Sequence, residues 1–485
     1  MEKNCRKNEK IHAIMIPYPL QGHVIPFVNL AIKLAANYSF TITFINTQSV
    51  HHQISINNSG TGSDDIFAGA RESGLDIRYR TISDGFPLSF NRSLNHDQFM
   101  EGILHVFSAH VDEIVGEIVQ LSEKENCLPV NCLIVDTFFV WPSIIADKYD
   151  LVNVSFWTEP ALVLTLYYHL DLLKQNSHFA SQDNRIDTID YIPGVPSIDP
   201  KDLMSYLKSS DIWTPVHQII YKSFTDVKKA DFIICNTINE LEPETISAIH
   251  KKQPTYAIGP IFPRGFTKGP VATSMLAESD CIQWLNSKPE RSILYISFGS
   301  YAHTTKHDIV EIANGLLLSG LGFIWVLRPD IVSSDDTDFL PEKFLENVGS
   351  GGLVVPWCSQ IDVISHPSIG GFLTHCGWNS ILESIWCAVP LLCYPLLTDQ
   401  FTNRKLVVDD WKVGINLCDE EEITKDEVTK KMNTLMDGKE SEETRKEIKR
   451  IKTVLEDSLG LNGSSERNLK EFVEKLETKV KRINE

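Results

Sequence analysis

Short, wholly apolar runs alternate along the chain with segments whose apolar residues recur at helical spacing. His12–Pro17 is the first such run and ends at Pro-Tyr-Pro. A helical pattern follows, with Pro26 in its first turn and Phe27, Leu30, Ala31 and Leu34 on one face. Residues 40–45, FTITFI, then predict a second strand. Strand, helix and strand in that order imply a parallel sheet covered by helices, because only a long crossover returns the chain in the same direction. Cys132–Asp136 reads as a buried strand ending on an acid, and Phe232–Asn236 as another. Tyr256–Pro260 closes this half.

After Pro263–Ser274, which reads as a linker, the pattern begins again. Strands are predicted over Ser292–Phe298, Gly322–Leu327, Leu353–Pro356, Ile369–Thr374 and Val389–Tyr394, with helical stretches between them. From Glu420 onward the chain is charged and helical, and KESEETRKEIKRIK reads as a solvated helix face. Polar stretches 51–66 and 175–202 read as loops, the second with the length of a binding loop or lid. Two doubly wound α/β halves of similar size predict a cleft between them, and ligands bind in such clefts. The expected division is 1–260, 261–455 and a helical tail 456–485 that packs back on the first half.

Composition narrows the function classes. The 485 residues, 42% apolar and 22% charged, are those of a globular chain, and the net charge of −19 argues against nucleic acid or an anionic membrane as partner. Ten cysteines include no C-x-x-C pair, so free thiols are expected rather than a disulfide framework or a zinc site. The start, MEKNCRKNEK, is polar and leads straight into a strand, and the longest apolar stretch, Ala161–Tyr168, is too short to cross a bilayer. A cytoplasmic monomer that binds small molecules is the expectation.

The densest chemistry lies between Trp357 and Gln400. Trp357 follows an apolar strand and a proline, where its ring can offer a stacking surface. His375-Cys376-Gly377-Trp378-Asn379-Ser380 stands where a strand turns into a helix. Asn379 or Ser380 suits the N-cap, and the free N–H groups beyond it suit a phosphate. His375 can add a charged hydrogen bond to a diphosphate; the His-Cys pair has no second ligand pair for a metal. Glu383 lies one turn after Asn379 on the same face and can hold two ribose hydroxyls. Asp399 and Gln400 follow a strand and Pro395, placed to bracket sugar hydroxyls, and Asp399 can also cap the next helix. Ser297-Phe298-Gly299-Ser300 is a small-residue turn that lets backbone approach a phosphate, with Ser300 as a donor.

As an ordered set these residues resemble the signature box of plant UDP-dependent glycosyltransferases, glycosyltransferase family 1. Trp357, Gln360, His366, His375 to Ser380, Glu383, Ser384, Pro390, Pro395, Asp399 and Gln400 carry the resemblance. It implies the GT-B arrangement of two Rossmann-like domains across a cleft. It implies that Trp357 stacks on uracil, that Gln360 and Glu383 bind ribose, and that His375, Asn379 and Ser380 bind the diphosphate. Trp378, Asp399 and Gln400 would contact the sugar, and Gly22, Ser300 and Cys358 complete the donor site. The box departs from the usual pattern at Ser359, Ser368 and Ala388, none of which removes a contacting side chain.

In the first half, Pro19-Leu20-Gln21-Gly22-His23 follows the first strand. Gly22 permits a tight turn and His23 projects from the sheet edge. PYPLQGHVIPFVNLAIKL resembles the family's amino-terminal motif, in which this histidine is the catalytic base. Asp136 matches the acid that orients it, and Thr158 a residue that contacts the sugar's 6-hydroxyl. The implied reaction is inverting transfer of glucose from UDP-glucose, a co-substrate, with no cofactor and no metal. Gln400 favours glucose; another UDP-sugar is the alternative. The acceptor is expected to be a hydrophobic phenolic or terpenoid bearing a hydroxyl or carboxyl. Phe86, Phe90, Phe138, Phe139 and Trp141 are candidates for its pocket, each equally readable as core, with loops 51–66, 83–95 and 175–202 as walls. A nucleotide-dependent oxidoreductase would need a G-x-G-x-x-G turn, which neither half has. A non-catalytic UDP-sugar-binding protein would not need the His23–Asp136 pair.

Overall fold

The computed structural model describes residues 10–57, 65–124, 128–180, 185–262, 279–332, 339–420 and 422–484. The expected linker 263–274 lies outside them. Seven strands form the first sheet: β1 (His12–Ile16), β2 (Thr41–Thr47), β3 (Ile77–Ile82), β4 (Cys132–Asp136), β5 (Val152–Trp157), β6 (Phe232–Cys235) and β7 (Thr255–Ala257). Their order is β3-β2-β1-β4-β5-β6-β7, and every pairing is parallel. The second sheet holds β8 (Ile293–Ser297), β9 (Gly322–Val326), β10 (Gly352–Val355), β11 (Ile369–Thr374), β12 (Leu391–Cys393) and β13 (Gly414–Asn416). Its order is β10-β9-β8-β11-β12-β13, again parallel throughout. This is a pair of Rossmann-like α/β domains, with helices over both faces of each sheet.

Strand order reverses direction between β1 and β4 in the first sheet and between β8 and β11 in the second. At such a switch point the loops leaving neighbouring strands diverge and leave a crevice at the strands' C-terminal ends. Asp136 ends β4, while His23 and Thr158 follow β1 and β5; Ser300, His375 and Asp399 follow β8, β11 and β12. The topology alone therefore gathers residues that are hundreds of positions apart.

Strands covered on both faces have apolar sequences, such as HAIMI in β1 and CLIVD in β4. Edge strand β3, IRYRTI, buries Ile77 and Ile82 but exposes Arg78 and Arg80, so it shows no apolar run. The region 51–57, read as loop, belongs instead to a helix, Gln48–Asn57. Val50 and Ile54 bury one narrow face of it, and its polar residues cover the rest.

The charged carboxy-terminal region makes two long helices with different attachments. Lys439–Leu459 packs on the second half through Ile448, Ile451 and Leu455, and Arg445 donates to the Gly370 carbonyl at 2.7 Å. Ser464–Asn484 crosses to the first sheet. There Phe472 packs against Phe232 and Tyr256, and Asn468 Nδ2 donates to the Ala257 carbonyl at 2.8 Å. No described helix is long and apolar enough to cross a membrane.

Candidate active site

His23 occupies the first turn of the helix Gln21–Tyr38, which begins directly after the β1 turn. Its Nδ1 is 2.8 Å from Asp136 Oδ2 and 3.1 Å from Thr158 Oγ1. Asp136 is 1% exposed and held in place, its Oδ1 accepting from the Phe138 amide at 3.0 Å. A buried carboxylate at this position keeps the proton on Nδ1 and leaves Nε2 with its lone pair. Thr158, matched in sequence to a sugar contact, thus lies beside the base.

His23 lines a cavity of about 210 Å³ between the halves. Met100, Phe138, Tyr167, Val216, Ile219 and Ile220 supply its apolar wall, and Ser300, Tyr301, Asp399 and Gln400 face them from the other half. Of the five expected aromatics only Phe138 lines this cavity. Phe139 and Trp141, 1% and 3% exposed, pack with Phe107 in the core behind it. Phe86 and Phe90 stack on each other at 4.4 Å. Phe90 faces another cavity, of about 610 Å³, which residues 52–53 and 88–93 also line and which shares Leu20, Ser300 and Tyr301 with the first. The walls of the cavity at His23 therefore come from helices His96–His105, Ala161–Tyr168 and Pro215–Asp226 rather than from the expected loops. Helices hold apolar side chains at fixed spacing, which short polar loops cannot do.

A second cavity, about 130 Å³, adjoins the first and shares Gly22, Ser300, His375, Gly377, Trp378 and Asn379 with it. Trp357, Cys358, Gln360, Ser380 and Glu383 line its far end. Gln360 Nε2 donates to Glu383 Oε2 at 2.8 Å and Ser380 Oγ at 3.0 Å, so the two expected ribose ligands already form one unit. Burial pushes the Glu383 carboxyl up to about 7, against the opposing hydrogen bond from Gln360. Cys358 is 2% exposed, with its Sγ 3.7 Å from the Tyr295 hydroxyl.

Helix Trp378–Cys387 starts at Gly377, and no side chain caps it. Asn379 and Ser380, expected as caps, are engaged elsewhere: Asn379 Nδ2 donates across the cleft to the Gly22 carbonyl at 2.9 Å, and Ser380 accepts from Gln360. The first-turn N–H groups are left for a ligand, which is the arrangement that binds a diphosphate. Burial, with help from Arg328, pushes His375 down to about 4. It is therefore neutral before any ligand enters, not the charged donor expected, and can serve only as a neutral N–H donor. A methyl at Gly299 or at Gly377 would meet His375 Nε2 at 2.5 Å. Gly299 also has φ +74°, a conformation that glycine adopts without penalty.

Sequence reasoning passed over Arg328. At the end of β9, it donates to the Gly299 and Ala302 carbonyls and pairs with Asp330, so it fixes the turn that carries Ser300. An arginine after a strand has no signature of its own; only the fold shows which turn it reaches.

Asp399 stands at the start of helix Gln400–Lys405 without capping it. Its carboxylate accepts instead from Thr398 Oγ1 at 2.6 Å and Asn403 Nδ2 at 2.5 Å. Gln400 Oε1 accepts from the Leu396 and Leu397 amides, both at 2.9 Å, which leaves its Nε2 for a ligand. Trp378 donates its indole N–H to the Asn236 carbonyl at 2.7 Å and so ties the two halves together.

Comparison with known proteins agrees with this geometry. Residues 269–457 match the model of the UDP-glucoronosyl and UDP-glucosyl transferase family. The chain is 60% identical to UDP-glycosyltransferase 86A1 of Arabidopsis thaliana over 99% of its own length and 98% of that protein's. It belongs to the plant family 1 UDP-glycosyltransferases. It is also 32% identical to the 7-deoxyloganetin glucosyltransferase of Catharanthus roseus, over 97% of this chain and 98% of that protein. Among solved structures, Phytolacca americana UGT2 complexed with UDP-2fluoro-glucose and pterostilbene superposes with a TM-score of 0.78 at 26% identity, covering 96% of this chain and 99% of that one. A UDP-glucose: anthocyanidin 3-O-glucosyltransferase in complex with UDP gives 0.79 at 26% identity, over 97% of this chain and 100% of that one.

Glu383 gives this UDP-glycosyltransferase a titrating group in the smaller cavity. The form of Glu383 that accepts hydrogen bonds from hydroxyls is the carboxylate, which is lost as pH falls through about 7. UDP affinity is therefore expected to weaken from pH 8 to pH 5.5, approaching tenfold per unit below the Glu383 value. His375, near 4, stays neutral over that window. Calorimetric titrations across it should show the slope in the parent and a flat profile in Glu383→Gln.

Proposed function

We propose that this glycosyltransferase moves glucose from UDP-glucose to a hydroxyl or carboxyl of a hydrophobic small molecule and inverts the anomeric centre. The observation that carries the reading is the His23–Asp136 pair, 2.8 Å apart, on the wall of the cavity that both halves share. His23 Nε2 takes the proton from the acceptor hydroxyl. The acceptor oxygen bonds to the anomeric carbon as the bond from that carbon to UDP breaks, and UDP leaves with the electron pair. Charge on the departing diphosphate falls on the uncapped N–H groups after Gly377, on Ser300 and on neutral His375. Fixed donors of this kind stabilise developing charge without a metal. Inversion follows from attack on the face opposite the leaving group, giving a β-glucoside from the α-linked donor.

Glucose as the donor sugar is supported by Gln400 on the cavity wall and by glucosyltransferases among the relatives. A phenolic or terpenoid acceptor is supported by the apolar wall. Eight described cysteines are free thiols, which supports a reducing, cytosolic location. The test is incubation with UDP-glucose and a chemically broad acceptor library, read by mass. A gain of one hexose with stoichiometric UDP release is expected. Hydrolysis of UDP-glucose without transfer to any acceptor would refute the reading.

A further inference from the structure

The cavity at His23 contains a carboxyl that the transfer step does not use. Glu159 follows Thr158 at the end of β5 and lines the cavity beside Tyr167 and Asp399. Its Oε2 is buried and has no hydrogen-bond partner. The neighbouring carboxylates are already engaged: Asp136 holds His23, and Asp399 holds Asn403 and Thr398. Glu159 alone presents an unused carboxyl oxygen. No lysine or arginine is found among the described residues that line the cavity.

We propose that Glu159 selects the acceptor: its carboxyl donates a hydrogen bond to an oxygen of an uncharged, hydroxyl-bearing molecule, and the cavity rejects molecules that carry a carboxylate. The inference rests on the transferase reading above and narrows its acceptor to neutral alcohols and phenols. Burial raises the Glu159 carboxyl well above its ordinary range, and Asp399 and Asp136 raise it further. The shift favours the protonated form, which can donate. An acceptor oxygen placed against it would satisfy a polar atom that is otherwise buried without a partner. A carboxylate entering the same space would lose its water and meet apolar side chains, a neutral His375 and the Asp399 carboxyl, with no lysine or arginine on the cavity's lining. Glu159 lines the cavity at His23 and not the adjoining cavity of Trp357 and Glu383, so its effect belongs to the groups that meet at His23 rather than to the nucleotide.

The experiment measures steady-state kinetics with UDP-glucose and matched alcohol–acid pairs, headed by vanillyl alcohol and vanillate, at pH 7.5. The wild-type enzyme is expected to favour the alcohol of each pair by at least about tenfold in kcat/KM. Glu159→Leu should raise the alcohol's KM by about tenfold with donor KM unchanged, because the hydrogen bond is lost. Glu159→Gln should restore that KM to within about threefold of the parent, since the amide N–H replaces the carboxyl donor. Thermal melts of both variants identify any loss of fold, and the wild-type pair comparison does not depend on either variant. Equal turnover of acids and alcohols would overturn the proposal, as would an unchanged acceptor KM in a folded Glu159→Leu or a shift confined to donor KM. Failure of the wild type to glucosylate any member, together with no transfer to any acceptor of the broad library, would refute the transferase reading beneath it as well.

Discussion

Replacing His23 by alanine is expected to lower kcat on an unactivated alcohol by about 10²–10⁴-fold while UDP binds as tightly as before. The size of the loss follows from what the side chain does. An alcohol is a poor nucleophile until its proton begins to leave, and no other described base pairs with Asp136 at the shared cavity. The unchanged UDP affinity follows from position, since the far end of the nucleotide cavity is built by Trp357, Gln360, Ser380 and Glu383. Asp136→Asn should lose nearly as much. An amide that donates to Nδ1 forces the proton onto Nε2 and removes the lone pair the reaction needs. Rapid-quench turnover with calorimetry of UDP on the same preparations separates the two effects. Near-normal turnover in His23→Ala would refute the base, and a parallel loss of UDP binding would show damage to the cleft instead.

Trp357→Ala is expected to weaken UDP-glucose binding by about 1–3 kcal/mol, roughly 5- to 150-fold in Kd, through loss of a stacking surface. Trp357 leaves β10 through Pro356 and shares its cavity with the Gln360–Glu383 unit, so a base on its ring would set the ribose against both side chains. The residue is also 8% exposed and part of the core, and truncation therefore removes packing as well. Trp357→Phe separates the contributions: it keeps an aromatic face and should recover most of the affinity. Donor affinity unchanged in Trp357→Ala would end the stacking role.

What the linear chain revealed depended on how local the signal was. Parallel strands buried on both faces betray themselves as apolar runs, so most of both sheets was visible. Edge strand β3 was hidden because Arg78 and Arg80 alternate with its buried residues, and β5 because buried Asn153 and Ser155 interrupt VNVSFW. Helix Gln48–Asn57 was hidden because only a narrow stripe of it is buried. The donor box was legible as an ordered motif, but the roles within it were not. Asn379 looks like a cap and instead reaches Gly22 in the other half, 357 positions away. His375 looks like a cation and is kept neutral by burial, a property of surroundings that no window of sequence contains. Phe139 and Trp141 look like pocket walls because two aromatics close to an active-site aspartate can face either way, and they face the core. Arg328 and Glu159 carry no motif at all; each gains its meaning from what another strand brings beside it.

A single displacement driven by His23 across the cleft inverts the anomeric centre, and the configuration of the product reads it out. The anomeric proton coupling of the glucoside made from UDP-glucose, read by NMR on the product before any equilibration, reports which face was attacked. A β-linked product from the α-linked donor is expected. An α-linked product would contradict it, because retention requires either a covalent glycosyl intermediate or front-side attack, and neither follows from one base facing one leaving group.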